Sequence, residues 1–230
     1  MKVVGLIPAR RSFLTQADGT KSKQVKNLAP CNGKPLIYWT IKEAKRSSLD
    51  ALYVSTDCEQ IADYVTGQGI EVLWRPAHLA SDTARTIDVL QFHPQVQKFD
   101  AIFTLQPTNP LRTATMIDNA CCLLEDGGHD SVISFTDVGE RHPARMKQLA
   151  TDGTMFDPPF AEGMEGQPRQ TLERFFVRTG EVYLSKLETI LAGSLKGERC
   201  LPFFLDKSEA WNVDDATDLL IVEALMKARG

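Results

Sequence analysis

Short runs of apolar, often β-branched residues recur along the chain, and each closes on polar or turn-forming residues. Residues 2–8, 51–55, 100–105 and 130–135 are nearly continuous in apolarity, as strands buried on both faces of a parallel sheet are. Helical spacing fills the intervals. Pro35 suits the first position of a helix in which Ile37, Ile41 and Ala44 fall on one face, with Lys42, Lys45 and Arg46 outward. Residues 57–66, 81–91 and 114–124 have helical length, with Ser81 and Asp82 placed as N-cap and neighbour. A last helix is expected from near Asp214, with Ile221, Ala224, Leu225 and Ala228 on its buried face. Strand alternating with helix predicts an α/β fold: three layers, doubly wound around a mostly parallel sheet.

That alternation breaks after Asp137. Residues 138–178 are rich in Gly, Pro, Arg and Glu, and a stretch this long without regular pattern marks a functional excursion or a partner-binding arm. Order resumes at 180–184 and at 200–205, where Phe203 and Phe204 read as core. The length of 230 residues suits one domain, 1–230, carrying an appendage, and a chain of this size needs no disulfide or metal to fold. At 43% hydrophobic and 24% charged, with a net charge of −4, it shows no cationic excess that would advertise nucleic acid or a membrane as partner. The five cysteines, at 31, 58, 121, 122 and 200, have no CxxC spacing and are expected to be reduced thiols. No signal peptide is expected, because Arg10 and Arg11 interrupt the opening apolar run, and the expected location is cytoplasmic.

In an open parallel sheet, ligands sit beyond the carboxyl ends of the strands. After the first strand come Arg10, Arg11, Gly19, Lys21, Lys23 and Lys26-Asn27, in a segment read as a loop too polar to pack. This is either a triphosphate site, with cations and backbone N–H groups converging, or a solvated basic loop. It is neither GxxxxGK[ST] nor GxGxxG, which excludes P-loop hydrolases and dinucleotide dehydrogenases.

A series of dispersed motifs then occurs in order. Ile7-Pro-Ala-Arg10, Gly19-Thr-Lys21 through Lys26-Asn27, and Gly33-Lys-Pro-Leu-Ile37 resemble the opening of sugar nucleotidyltransferases. Ser55-Thr-Asp57, Arg75-Pro-Ala-His-Leu-Ala-Ser-Asp82 and Leu105-Gln-Pro-Thr-Asn-Pro-Leu-Arg112 narrow the resemblance to the acylneuraminate cytidylyltransferases, also called CMP-sialic acid synthetases. Gln167-Pro-Arg-Gln170, Gly180-Glu-Val-Tyr183 and Asn212-Val-Asp-Asp215 extend it to the carboxyl end.

The resemblance implies a nucleotidyltransferase-like fold and a magnesium-dependent reaction. The C2 hydroxyl of an acidic nine-carbon keto-sugar, a nonulosonic acid, would attack the α-phosphate of CTP, giving the CMP-sugar and pyrophosphate for surface glycan synthesis. By motif position, Arg10, Lys21 and Asp214 would be catalytic, and Arg10 and Lys21 would hold the triphosphate. Asn27, Arg75, Ala84 and Thr86 would bind the nucleotide, and Gln106 would stand between nucleotide and sugar. Arg145, Arg169 and Tyr183 would bind the sugar, with Arg169 offered by the partner of a homodimer built through residues 138–180. Asp214 and Asn212 would hold Mg2+, although Asp214 also suits a helix cap. Asp57 suits a strand-end cap, Tyr183 suits core, and Arg112 suits a structural ion pair.

Two departures from the family pattern stand out. About eight extra residues, 11–18, separate Arg10 from the second basic element, where Thr20, Ser22 and Gln24 replace the usual Ser, Gly and Pro. Asn212 replaces an aspartate, and an amide oxygen can ligate magnesium but adds no charge. Two rival readings are CMP-activation of an eight-carbon sugar, as in 3-deoxy-octulosonate synthetases, and a non-catalytic CTP-binding relative.

Overall fold

The apolar runs pair as their continuity predicts. A computed structural model describes residues 1–16 and 18–229. From the amino terminus come β1 (Val3–Pro8), a short ribbon of β2 (Phe13–Thr15) and β3 (Lys21–Val25), and a second of β4 (Pro30–Cys31) and β5 (Lys34–Pro35). Then follow α1 (Leu36–Arg46), β6 (Ala51–Thr56), α2 (Glu59–Gly67), β7 (Glu71–Trp74), α3 (Thr86–Phe92), β8 (Ala101–Thr104), α4 (Ala114–Asp126) and β9 (Ser131–Asp137). The remainder holds a hairpin of β10 (Gln148–Leu149) and β11 (Met155–Phe156), then β12 (Phe176–Lys186), α5 (Leu187–Leu191), β13 (Cys200–Phe204) and α6 (Ala216–Ala228).

Seven strands form the central sheet in the order β13-β9-β12-β8-β1-β6-β7. β12 runs antiparallel to both its neighbours, while the other pairings in the sheet are parallel. The buried residues of α1, α2 and α4, among them Ile41, Ile61 and Ile117, cover one face, and Ile87 and Leu90 of α3 with Ile190 of α5 cover the other. The three layers expected from the alternation are present, and so is the mostly parallel sheet.

Several local expectations change. The basic segment after β1 is not an unpacked loop: Leu14 and Val25 are buried, and β2 and β3 pair around their polar turn. Ala17, inside the predicted insertion, lies outside the described residues. α3 begins only at Thr86, and neither Ser81 nor Asp82 caps it; the N-cap position is Arg85, whose side chain makes no capping bond and instead pairs with Asp88. α6 buries Val222 and packs Leu219, Leu225 and Met226 inward, leaving Ala224 and Ala228 exposed, so its apolar face is rotated from the one expected. Apolar residues run almost unbroken from Leu219 to Met226, interrupted only by Glu223, which blurs the periodicity of that helix. Phe204 is exposed on the edge strand β13, its ring 4.8 Å from that of Phe176, whereas Phe203 packs against the core. The irregular stretch is shorter than predicted, because residues 176–180 already belong to β12.

Candidate active site

Polar residues gather where β1, β6 and β8 end. Arg10 leaves β1, and Asn27 sits on a 3-10 turn, Lys26–Leu28, directly after β3. Asn27 is buried and donates through Nδ2 to the Arg10 carbonyl at 3.2 Å, which ties the second basic element to the first. Asp57, at the end of β6, accepts from the Arg11 backbone N–H at 2.8 Å and so holds the same segment from the other side. Arg75 is buried, donating to the carbonyls of Ser55 at 3.0 Å and Leu79 at 3.2 Å. Burial pulls its pKa down to about 10, against the charge of Asp57.

A polar cavity of about 200 Å³ opens among Arg10, Asn27, Arg75, Ala84, Thr86 and Gln106. These are the six residues expected at a nucleotide, apart from Lys21. Lys21 lies on the exposed ribbon and donates to Thr15 Oγ1 at 2.8 Å; Lys26 lines the cavity in its stead. Lys26 Nζ is 3.0 Å from Asp214 Oδ1, so the basic segment and the start of α6 do converge, through a different lysine. An isolated bridge between Thr15 and Asp215 closes the same junction along the backbone. Arg10 Nη2 is paired with Asp82 Oδ1 at 2.7 Å, giving Asp82 a role at the cavity mouth rather than at a helix start.

A second cavity, of about 840 Å³, shares Gln106 and Thr108 with the first. Tyr183, Asn212 and Asp214 line it, as do the unforeseen Arg141, Arg178 and Lys207. A break in strand register between Arg178 and Tyr183 lets β12 bulge here, a device that re-aims side chains. The Arg178 guanidinium lies 5.6 Å from the Tyr183 ring centroid. Burial raises the Tyr183 phenol above its ordinary pKa, with Arg178 opposing.

Charges in this cavity divide into engaged and free. Glu140 meets Arg145 at 3.5 Å and Arg169 at 3.3 Å, so those two predicted sugar ligands sit at its rim, outside the lining. Asp137 accepts from Gly139 N, and Asp218 accepts from the backbone of Asp214 and Asp215. Arg141, Arg178 and Lys207 have no ion-pair partner within 4.0 Å among the described residues. The cavity therefore offers unpaired cations to an incoming anion.

Asp214 is not the helix cap. Asp215 fills that role, accepting from Thr217 N at 2.7 Å and Asp218 N at 2.9 Å, while the Asp218 side chain reaches back. The Asp214 side chain is 74% exposed; Oδ1 faces Lys26, and Oδ2 accepts from Asn212 Nδ2 at 2.6 Å. Among the described residues there is no group of three or more His, Cys, Asp or Glu suited to a metal ion. One exposed carboxylate fits the mode in which magnesium takes one or two protein carboxylates and completes its shell with substrate phosphates and water.

Residues 19–155 match the family described as Cytidylyltransferase, which is more than half of the chain. The chain belongs to the cytidylyltransferase family. It is 30% identical to the N-acylneuraminate cytidylyltransferase of Streptococcus agalactiae serotype V over 227 residues, covering 96% of this chain and 52% of that one. The chain thus spans about half the length of that relative. It is also 30% identical to the CMP-N,N'-diacetyllegionaminic acid synthase of Legionella pneumophila, covering 99% of this chain and 97% of the other. These relatives bear out the place among acylneuraminate cytidylyltransferases that the motifs implied. In fold, the chain resembles a CMP:2-keto-3-deoxy-manno-octonic acid synthetase solved with CTP, at a TM-score of 0.70 and 17% identity over the whole of both chains.

Proposed function

We propose that the protein transfers CMP from CTP to the C2 hydroxyl of a nonulosonic acid, releasing pyrophosphate. The observation that carries this is the pair of cavities joined at Gln106 and Thr108, one small and polar, the other larger and holding unpaired cations. The smaller takes the nucleotide, with Thr86 and Ala84 beside the base, Asn27 fixing the Arg10 segment, and Arg75 buried behind. Arg10 and Lys26, joined by Lys21 if the ribbon folds inward, neutralise the phosphates. The larger takes the acidic sugar against Tyr183 and Gln106, where Arg178 and Lys207 suit its carboxylate. Arg145 and Arg169 serve the sugar as well, with Arg169 supplied across a homodimer.

The C2 hydroxyl loses its proton to water and its oxygen bonds to the α-phosphorus, as the bond from that phosphorus to the oxygen bridging to the β-phosphate breaks and this oxygen leaves with the pyrophosphate. The protein's share is to align these atoms and offset their charge. Asp214, with Asn212 beside it, would hold the divalent metal, which would neutralise phosphate charge; Lys26, now paired with Asp214, would then be released to the phosphates. The reaction would take place in the cytoplasm.

The test is direct. Protein, CTP and magnesium are incubated with sialic, legionaminic and pseudaminic acids and with an eight-carbon keto-sugar, and pyrophosphate is followed. Release with at least one nine-carbon acid is the expected result. Turnover of the eight-carbon sugar only, or tight CTP binding with no turnover, overturns the proposal.

A further inference from the structure

The wall between the two cavities rests on a buried carboxylate to which no role has yet been given. Glu181 lies in the bulge of β12 and is fully buried. Its Oε1 accepts from Asn109 Nδ2 at 3.1 Å and from the Trp211 backbone N–H at 3.1 Å. Its Oε2 is buried with no hydrogen-bond partner among the described residues. Buried polar atoms are nearly always satisfied, so an orphaned carboxylate oxygen calls for an explanation.

The neighbouring cation does not supply one. Arg112 is also buried, but its guanidinium goes to the Glu181 carbonyl at 2.6 Å, the Gly180 carbonyl at 2.8 Å, the Gln106 carbonyl at 3.2 Å and Thr40 Oγ1 at 3.2 Å. It holds the backbone on which Glu181 and Gln106 are mounted and leaves the carboxylate to other donors. Those donors belong to two separate pieces of the site. Asn109 ends the turn that carries Gln106, and Trp211 opens the segment that carries Asn212 and Asp214. A further bond, Val213 N to the Thr108 carbonyl at 2.8 Å, runs in parallel. Gly180, beside Glu181, leaves no room for a side chain: an added Cβ would fall 2.1 Å from Asn109 Oδ1 and 2.6 Å from Gln106 Oε1.

We propose that Glu181 is a positioning residue, whose carboxylate fixes the 211–214 segment against the Gln106 turn and thereby sets where Asp214 stands relative to the nucleotide cavity. This rests on the reading above that Asp214 holds the metal. The charge matters because two N–H donors converge on one oxygen. A neutral amide oxygen accepts them more weakly.

Glu181→Gln and Glu181→Ala are compared with the unaltered protein. Hydrogen exchange of the metal-free protein is expected to show lost protection confined to the 208–215 segment. Calorimetry is expected to give CTP affinity without metal within about twofold of the parent, with a smaller gain on adding magnesium. With the sugar, kcat should fall about 10–100-fold, the range for groups that orient metal ligands, while the CTP KM holds. If the alanine variant does not fold, the glutamine variant carries the test. Variants that lose only thermal stability, keeping the magnesium gain, kcat and segment protection of the parent, overturn the proposal. Failure of the functional reading looks different: the parent itself would release no pyrophosphate, while exchange would still report whether Glu181 holds the segment.

Discussion

His93 shows what a single buried group does for this site. It is 3% exposed and lies 2.8 Å, through Nε2, from Ser55 Oγ, whose own backbone carbonyl receives Arg75. Burial, with help from the Arg75 charge, lowers its pKa from 6.5 to about 4, so the imidazole is neutral in the folded protein. The unfolded chain takes up a proton near pH 6.5 and the folded one does not until about pH 4. Stability from this group is therefore complete above pH 6.5 and drains away as pH falls toward 4, by on the order of 3 kcal/mol. Melting temperatures taken between pH 7 and 4.5 should fall more steeply for the parent than for His93→Gln; parallel slopes would remove His93 from the account. Sequence alone left this histidine without a task, because its partners are distant in the chain. Arg112 was half legible: its structural role is real, yet its partners are carbonyls and a hydroxyl, not an opposed carboxylate within ion-pair distance.

Among the elements, α6 separates two adjacent aspartates by their surroundings. Asp215 and Asp218 form a reciprocal cap, whereas Asp214 faces the larger cavity and touches Lys26. Asp215→Ala should cost about 1 kcal/mol of stability, read by denaturant titration. Asp214→Ala should leave stability within about 0.5 kcal/mol, as exposed positions do, and lower pyrophosphate release at least about tenfold. Equal loss of stability in both would merge the two roles. The β2–β3 ribbon explains why Lys21 was over-read. Neighbouring residues of a strand face opposite ways and cross-strand partners face the same way, so once Leu14 turns inward, Thr15 and its partner Lys21 are held outward together. Lys26 gains the cavity because it begins the turn after the ribbon. Long apolar strands were visible in sequence; β7 was not, because at four residues on a sheet edge, with Glu71 and Trp74 exposed, it gives too little pattern.

At the scale of the whole molecule, the layers and strand direction follow from the alternation of β-branched runs with amphipathic helices, and only the antiparallel course of β12 had no signature. The stretch before it carries a different kind of information. Leu149, Met155, Phe156, Phe160 and Met164 are between 49% and 73% exposed, and large apolar groups concentrated in this way mark a contact surface. As part of the proposed homodimer, Leu149→Glu with Phe156→Glu should shift sedimentation from dimer to monomer. Arg169→Ala should leave the dimer intact and raise the sugar KM about tenfold or more, with CTP affinity retained. A parent protein that sediments as a monomer, or an unchanged sugar KM, would sink this arrangement.

The contact between Lys26 and Asp214 spans 188 positions of sequence. During synthesis, the lysine leaves the ribosome long before its aspartate has been translated. The Gln106 turn is made early, but its wall waits for Glu181 and Trp211, and the crevice mouth stays open until Asp214 emerges. A product released ahead of that point can keep much of the sheet and still have no means of completing the phosphate end of its site.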